Sequence, residues 1–218
     1  MVAISSLTPV FIWLKQKPKK GSKKHVLIFD PIDLENFKKS EVGIHPYYSA
    51  KGKLVGYATR KSLRKLSLVS RASHIFVFNT NGELFLQRRA STKDVFPNLI
   101  APSASGHVDL NETSRRAAIR ELKEELGINK KPVFLGTVIC FTSQLKEFID
   151  VFILITDAQI KINKDEISEG FFVPFNQIYE KPLFLECIPA MQKELTKFKI
   201  KIIKQLFSSH HKNSQNYY

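Results

Sequence analysis

Cysteine is scarce in this chain: among 218 residues only Cys140 and Cys187 occur, each set among apolar neighbours. Two cysteines cannot make a disulfide framework, so both read as reduced core thiols, which suits a reducing cytoplasm. No run of 18 apolar residues is present, which excludes an ordinary transmembrane helix. The uncharged opening stretch, residues 1–14, is too short to span a bilayer. Its positive charge follows the apolar run, where a signal peptide would have it first. No internal repeat appears. Acid is also in short supply: 20 Asp and Glu face 34 Lys and Arg, leaving a net charge of +14.

That excess invites a nucleic-acid reading, so its distribution matters. Residues 15–24 contain six lysines and no acid, and from Lys193 onward six lysines face only Glu194. The two tails therefore carry +11 of the +14, and the body between them is close to balanced. A basic groove in the core is excluded. Contact with nucleic acid is left to the tails. With 43% hydrophobic and 25% charged residues, the remainder has the composition of a globular domain able to bury a full core.

The chain divides accordingly. Residues 1–24 read as a flexible basic extension, 25–71 as a lead-in segment, 72–207 as the main domain, and 208–218 as a tail. In the opening stretch an interface strand is the other reading, which leaves room for a homodimer. In the lead-in, Val26 to Phe29 and Leu54 to Tyr57 look like strands, Asp33 to Lys39 like a helical turn, and Thr59 caps a short helix from Arg60. His74 to Phe78 and Glu83 to Gln87 alternate apolar and polar around Asn79–Gly82, the pattern of a hairpin. Val133 to Phe141 and Phe148 to Thr156 are further strands. From Ile188 to Phe207 a helical period puts Met191, Leu195, Phe198, Ile202 and Leu206 on one side, as in a helix covering a sheet.

The chemistry concentrates in GHVDLNETSRRAAIRELKEELGI, from Gly106 to Ile128. Neither Gly nor Pro interrupts Glu112 to Leu126, and Gly127 is a natural stop, so a helix is expected. At about 100° per residue, Glu121, Glu124 and Glu125 share one arc, with Leu122, Ile119 and Leu126 roughly opposite and available for burial. Crowded carboxylates repel unless a hard cation such as Mg²⁺ or Mn²⁺ converts repulsion into coordination. Taken alone, an acidic helix face is usually only solvated.

The spacing around that face changes the reading. Gly106, Glu112, Arg120-Glu121, Leu122, Glu124-Glu125, Gly127 and Ile128 match the Nudix box G-x5-E-x7-R-E-U-x-E-E-x-G-U, with U apolar, at every defined position. The chain thus resembles the Nudix hydrolases over roughly residues 72 to 207. The resemblance implies an α/β/α sandwich around a mixed sheet, and divalent-metal-dependent cleavage of a diphosphate in a small organic molecule. It implies metal ligands at Glu121, Glu124 and Glu125, with a carbonyl near Gly106 able to join them, and an Arg120 that orients glutamates. Glu121 is the first choice for the water-activating base, with Glu166 and Glu169 left open. Arg88 and Arg89, leaving a strand toward the box, are candidates for the substrate phosphates.

The segments GKLVGYATRKSL and QRRASTKDVFPNLIAPSASGH resemble the branch that contains isopentenyl-diphosphate isomerases and their hydrolase relatives. Asn98 stands where glycine is usual, which suits a positive φ. The isomerases need a cysteine just before the box glycine, where this chain has Ser105. They also use a histidine set of which only His107 has an obvious match. With all box glutamates present, hydrolysis is the favoured reading over isomerisation. The same argument places a non-catalytic Nudix binding module behind a hydrolase.

Overall fold

A computed structural model describes residues 10–13, 26–29 and 43–214, with side chains from 43 to 208. The helical turn expected over Asp33 to Lys39 and the tail after residue 214 lie outside the described residues. Two sheets form. The lead-in sheet runs β1 (Val10–Trp13), β2 (Val26–Phe29), β4 (Leu54–Thr59), β3 (Ile44–Tyr48) in that spatial order. The main sheet runs β11 (Ile167–Pro174), β6 (Glu83–Arg89), β5 (Ser70–Phe78), β10 (Lys146–Ile155), β9 (Val133–Phe141). β10 lies parallel to β5, and the other pairings in this sheet are antiparallel, so the sheet is mixed.

Successive side chains of a strand point to opposite faces, and from Ile75 to Phe78 β5 is apolar and buried on both faces and does not alternate as expected, the pattern of a strand covered on each side. Phe76 and Phe78 join one core with Ile149, Val151 and Ile153, under Met191, Leu195, Phe198 and Ile202. Ile75 and Val77 join another with Phe152 and Leu154, under Ala118, Leu122 and Leu126. The two covering helices are α3 (Pro189–Ser214) and α2 (Ser114–Leu126), numbered after the short lead-in helix α1 (Arg60–Lys65). The result is the expected α/β/α sandwich. Gly127 ends α2 at φ 70°, as the sequence anticipates, whereas the helix starts at Ser114 and not at Glu112, because the hydroxyl of Thr113 caps it by accepting from the Arg116 N–H at 3.3 Å.

One irregularity positions everything that follows. β5 and β6 pair only beside their turn, at Val77–Phe85 and Phe78–Leu84. Past that point they separate. β8 (Ala104–His107) then pairs with β5, and β7 (Ile100–Ala101) pairs with β6. The loop carrying Ser105 and Gly106 is thereby seated in the sheet, directly below α2. Asn98 in the preceding turn does take a positive φ, 62°.

The lead-in is fastened to this body through backbone bonds, Tyr48 N to Val69 O at 2.7 Å and Leu110 N to Ile44 O at 2.9 Å. Its helix α1 is capped by Thr59 and rests on Leu63, which is buried with Tyr47 and Ala58. At the opposite edge, α3 lies along the free side of β9. Lys193, Lys197 and Lys201 donate to the carbonyls of Ile139, Thr137 and Leu135 at 3.4, 2.8 and 2.9 Å. No helix among the described residues is long and apolar enough to cross a membrane.

Candidate active site

Glu121 and Glu125 are buried, at 8% and 6% exposure, whereas Glu124 is on the open side of the helix. An acidic face that is merely solvated would leave all three exposed. Each of the three lines a cavity of about 630 Å³ at the mouth of the β5–β6 split. Gly106 explains how Glu121 fits. A β-carbon there would sit 1.8 Å from Glu121 Oε1, so only a glycine lets the carboxylate lie against this loop.

Arg120 ties loop and helix together. Its Nε and Nη2 donate to the two oxygens of Glu112 at 3.1 and 3.0 Å, and Nη2 also donates to the His107 carbonyl at 3.0 Å. Its Nη1 reaches Glu121 Oε1 at 2.6 Å and Glu124 Oε2 at 3.1 Å. Although burial opposes its charge, hydrogen bonding to Glu112 and the Glu121 charge hold Arg120 above the ordinary arginine value. One guanidinium thus fixes the position of three box acids and the loop carbonyl.

Glu125 is held from the other side. The Gln87 side chain donates to its Oε2 at 2.9 Å, and so does the Ser105 N–H at 3.1 Å. Burial nevertheless raises the Glu125 carboxyl to about 7. Burial and then the Glu125 charge push Glu121 up to about 7 as well, against the pull of Arg120. Two carboxylates kept dry and adjacent are poorly matched to a cation-free site. Their oxygen donors suit a hard divalent cation. Among the described residues no three acid, histidine or cysteine side chains already converge on one ligation point. Glu121 and Glu124 are turned toward Arg120.

Further acids and bases surround this centre. Glu147, buried, lies 3.0 Å from His107 Nε2 and accepts from the Ser70 hydroxyl at 3.3 Å. Burial works against its charge, but the His107 contact outweighs that and keeps its carboxyl below the usual glutamate value. The His107 ring stands 5.1 Å from His45, whose Nδ1 is 3.0 Å from Asp109 Oδ1. Burial lowers the His45 pKa despite Asp109. Facing the glutamates are Arg89 and Lys93, the latter paired with Glu166.

Of the two arginines expected at the phosphates, the structure brings only Arg89 to the cavity. Arg88 points to the other side of β6, where it contacts Glu186 at 3.0 Å, Glu169 at 3.5 Å and the Asn98 carbonyl at 2.9 Å. Glu166 lines the cavity and Glu169 does not. Gln87, Glu147 and Lys93 were not singled out by sequence reasoning. Gln87 had one available signal, since it is two residues from Arg89 and must share its face of the strand.

Comparison with known proteins bears on the family and the fold. A family model described as NUDIX domain matches residues 69–193, more than half of the chain. An uncharacterized Nudix hydrolase of Pseudomonas aeruginosa is 34% identical over 120 residues, covering 55% of this chain and 71% of that protein. Isopentenyl-diphosphate Delta-isomerase 1 of Photorhabdus laumondii is 31% identical over 138 residues, covering 57% of this chain and 76% of that protein. The crystal structure of the Deinococcus radiodurans protein DR0079 superposes with a TM-score of 0.55 at 27% identity, covering 62% of this chain and 85% of that one.

Proposed function

The chain belongs to the Nudix hydrolase family, and from that premise we propose that it hydrolyses a small organic diphosphate with Mg²⁺ or Mn²⁺ held by Glu121, Glu124 and Glu125. The observation that carries this reading is the burial of Glu121 and Glu125 side by side in the cavity, with Arg120 bracing the acids around them. When bound, the ion neutralises non-bridging phosphate oxygens and acidifies water.

The chain's own residues supply the rest. Glu121, which lies against the Gly106 loop inside the cavity, accepts the proton of the attacking water. Gln87 and the Ser105 N–H fix Glu125 so that its second oxygen stays free. Arg89, on the opposite wall, binds a phosphate of the substrate. Glu166 is a weaker candidate for the base because Lys93 already engages it. Two free, buried cysteines support a reducing compartment such as the cytoplasm.

Isomerisation is the reading the isomerase-named relative brings forward. Here the hydroxyl of Ser105 stands at the position of the required thiol, and a hydroxyl does not replace a thiol as a proton donor to carbon. The test is phosphate or nucleotide release from a panel of diphosphates with Mg²⁺, with Mn²⁺ and with excess EDTA. Turnover that needs the metal and disappears in Glu124→Gln and Glu125→Gln supports the proposal. Full turnover in EDTA, or isopentenyl diphosphate isomerised without hydrolysis of any panel member, refutes it.

A further inference from the structure

The cavity over the glutamates continues past Arg120. There it meets a second cavity of about 820 Å³, and the two share Arg60, Arg64, Asp94, His107, Arg120 and Glu121. The far wall of this second space is α1, whose sequence RKSLRK contains four cations and no acid. Ser62 and Leu63 are its buried residues, so Arg60, Lys61, Arg64 and Lys65 are the ones presented outward. All four line the second cavity.

Two of these cations, Arg60 and Lys61, are left over by the acids among the described residues. Asp94 is engaged by Arg64, and Asp109 by His45 and Arg120. Arg60 and Lys61 have no ion-pair partner among the described residues. The second cavity is also lined by no Phe, Tyr or Trp among the described residues, so a nucleobase would find no carbocyclic ring to stack on. A phosphate, in contrast, meets guanidinium and ammonium groups that can donate to its oxygens.

Resting on the reading of the glutamate cavity as the diphosphate site, we propose that the second cavity binds a further phosphate group of the same substrate. The lead-in helix then becomes part of the substrate site. Compounds carrying a diphosphate and one more phosphate are preferred over the same compounds without it. The extra phosphate can extend the polyphosphate chain or sit as a monoester on the organic arm, and its chemistry at Arg60 and Lys61 is the same.

The test uses the full chain with Mg²⁺ at physiological salt, where exposed charges are screened beyond about 8 Å and only close contacts count. Coenzyme A against dephospho-coenzyme A, and NADPH against NADH, isolate a monoester phosphate. Diadenosine pentaphosphate against diadenosine diphosphate isolates a longer chain. In at least one pair the more phosphorylated member is expected to have kcat/KM higher by roughly tenfold, the size of one charge-assisted contact. The double variant Arg60→Gln/Lys61→Gln brings that ratio close to one, and charge reversal, Arg60→Glu/Lys61→Glu, lowers it further.

Calorimetric binding of adenosine 3′,5′-bisphosphate and of AMP separates this idea from hydrolysis itself. If no diphosphate is cleaved but the bisphosphate still binds roughly tenfold tighter, and loses that margin in the Gln variant, the second cavity stands and the hydrolase reading falls. The proposal is overturned if neither pair type nor the bisphosphate shows a preference. It is equally overturned if the preference survives the loss of both cations.

Discussion

Replacing Glu125 by glutamine tests the electrostatics of the centre without needing a substrate. The carboxyl is buried and raised from 4.5 to about 7. Below pH 4.5 it is neutral in the folded and unfolded chain alike. Between 4.5 and 7 the unfolded chain gives up the proton first, so stability falls as pH rises, and above 7 the loss is complete. A shift of that size corresponds to about 3 kcal/mol of stability forfeited at pH 8. A glutamine side chain has nearly the same shape, and its carbonyl can accept the bonds from Gln87 and Ser105 that Glu125 accepts. In EDTA at pH 8 the Glu125→Gln variant should therefore be more stable than the parent by about 2–3 kcal/mol, or on the order of 5–10 °C in melting temperature for a chain of this length. At pH 4.5 the two should nearly coincide. Added Mg²⁺ should stabilise the parent and leave the variant little changed, since binding to the folded state is what shifts the melt. Thermal melts and urea titrations at pH 4.5 and 8, with and without metal, measure each of these. A variant less stable than the parent at pH 8 in EDTA would refute the reasoning, because burial of charge would then not be what sets the Glu125 environment.

Gly106→Ala should cut kcat by about a hundredfold with metal present, because the new β-carbon must push Glu121 aside by more than an ångström, and steady-state rates check it. Arg89→Ala should raise KM for a diphosphate substrate by roughly tenfold, whereas Arg88→Ala, whose partner Glu186 faces away from the cavity, should leave KM within about twofold. Lys197→Ala/Lys201→Ala strips the cations from the carbonyls of the β9 edge and should promote self-association through that strand, visible in sedimentation velocity as a concentration-dependent dimer or larger species.

The box was legible in the sequence because its information is local. The helix expected over Glu112 to Leu126 forms from Ser114, two residues later because Thr113 caps it, and its period alone sets Glu121 and Glu125 on one side and Leu122 and Leu126 on another. The strand after the box was readable for the same reason, and Val133–Phe141 has the bounds expected of it. Period also allowed at most one of Arg88 and Arg89 in the cavity, since neighbours on a strand face opposite ways. Which one it is depends on which face of β6 meets α2, and that was decided only when the chain folded.

Other features could not be read at all until distant segments met. Gln87 and Glu125 are joined across 38 residues, and His107 reaches Glu147 from a different strand. Neither strand carries a mark of its partner, because pairing is a matter of register and not of residue type. The short strand Ile44–Tyr48 was missed: with Pro46 inside it, it is held by pairing with β4 and not by local preference. The burial of two of the three glutamates is likewise tertiary. The sequence by itself placed acids on one helix face. The split between β5 and β6, filled by the Ser105–Gly106 loop, removed water from two of them, and the backbone bonds that fasten the lead-in brought α1 to the same cleft. Spacing along a helix is fixed by backbone geometry, but the desolvation that moves a carboxyl to about 7 exists only where other segments close over it.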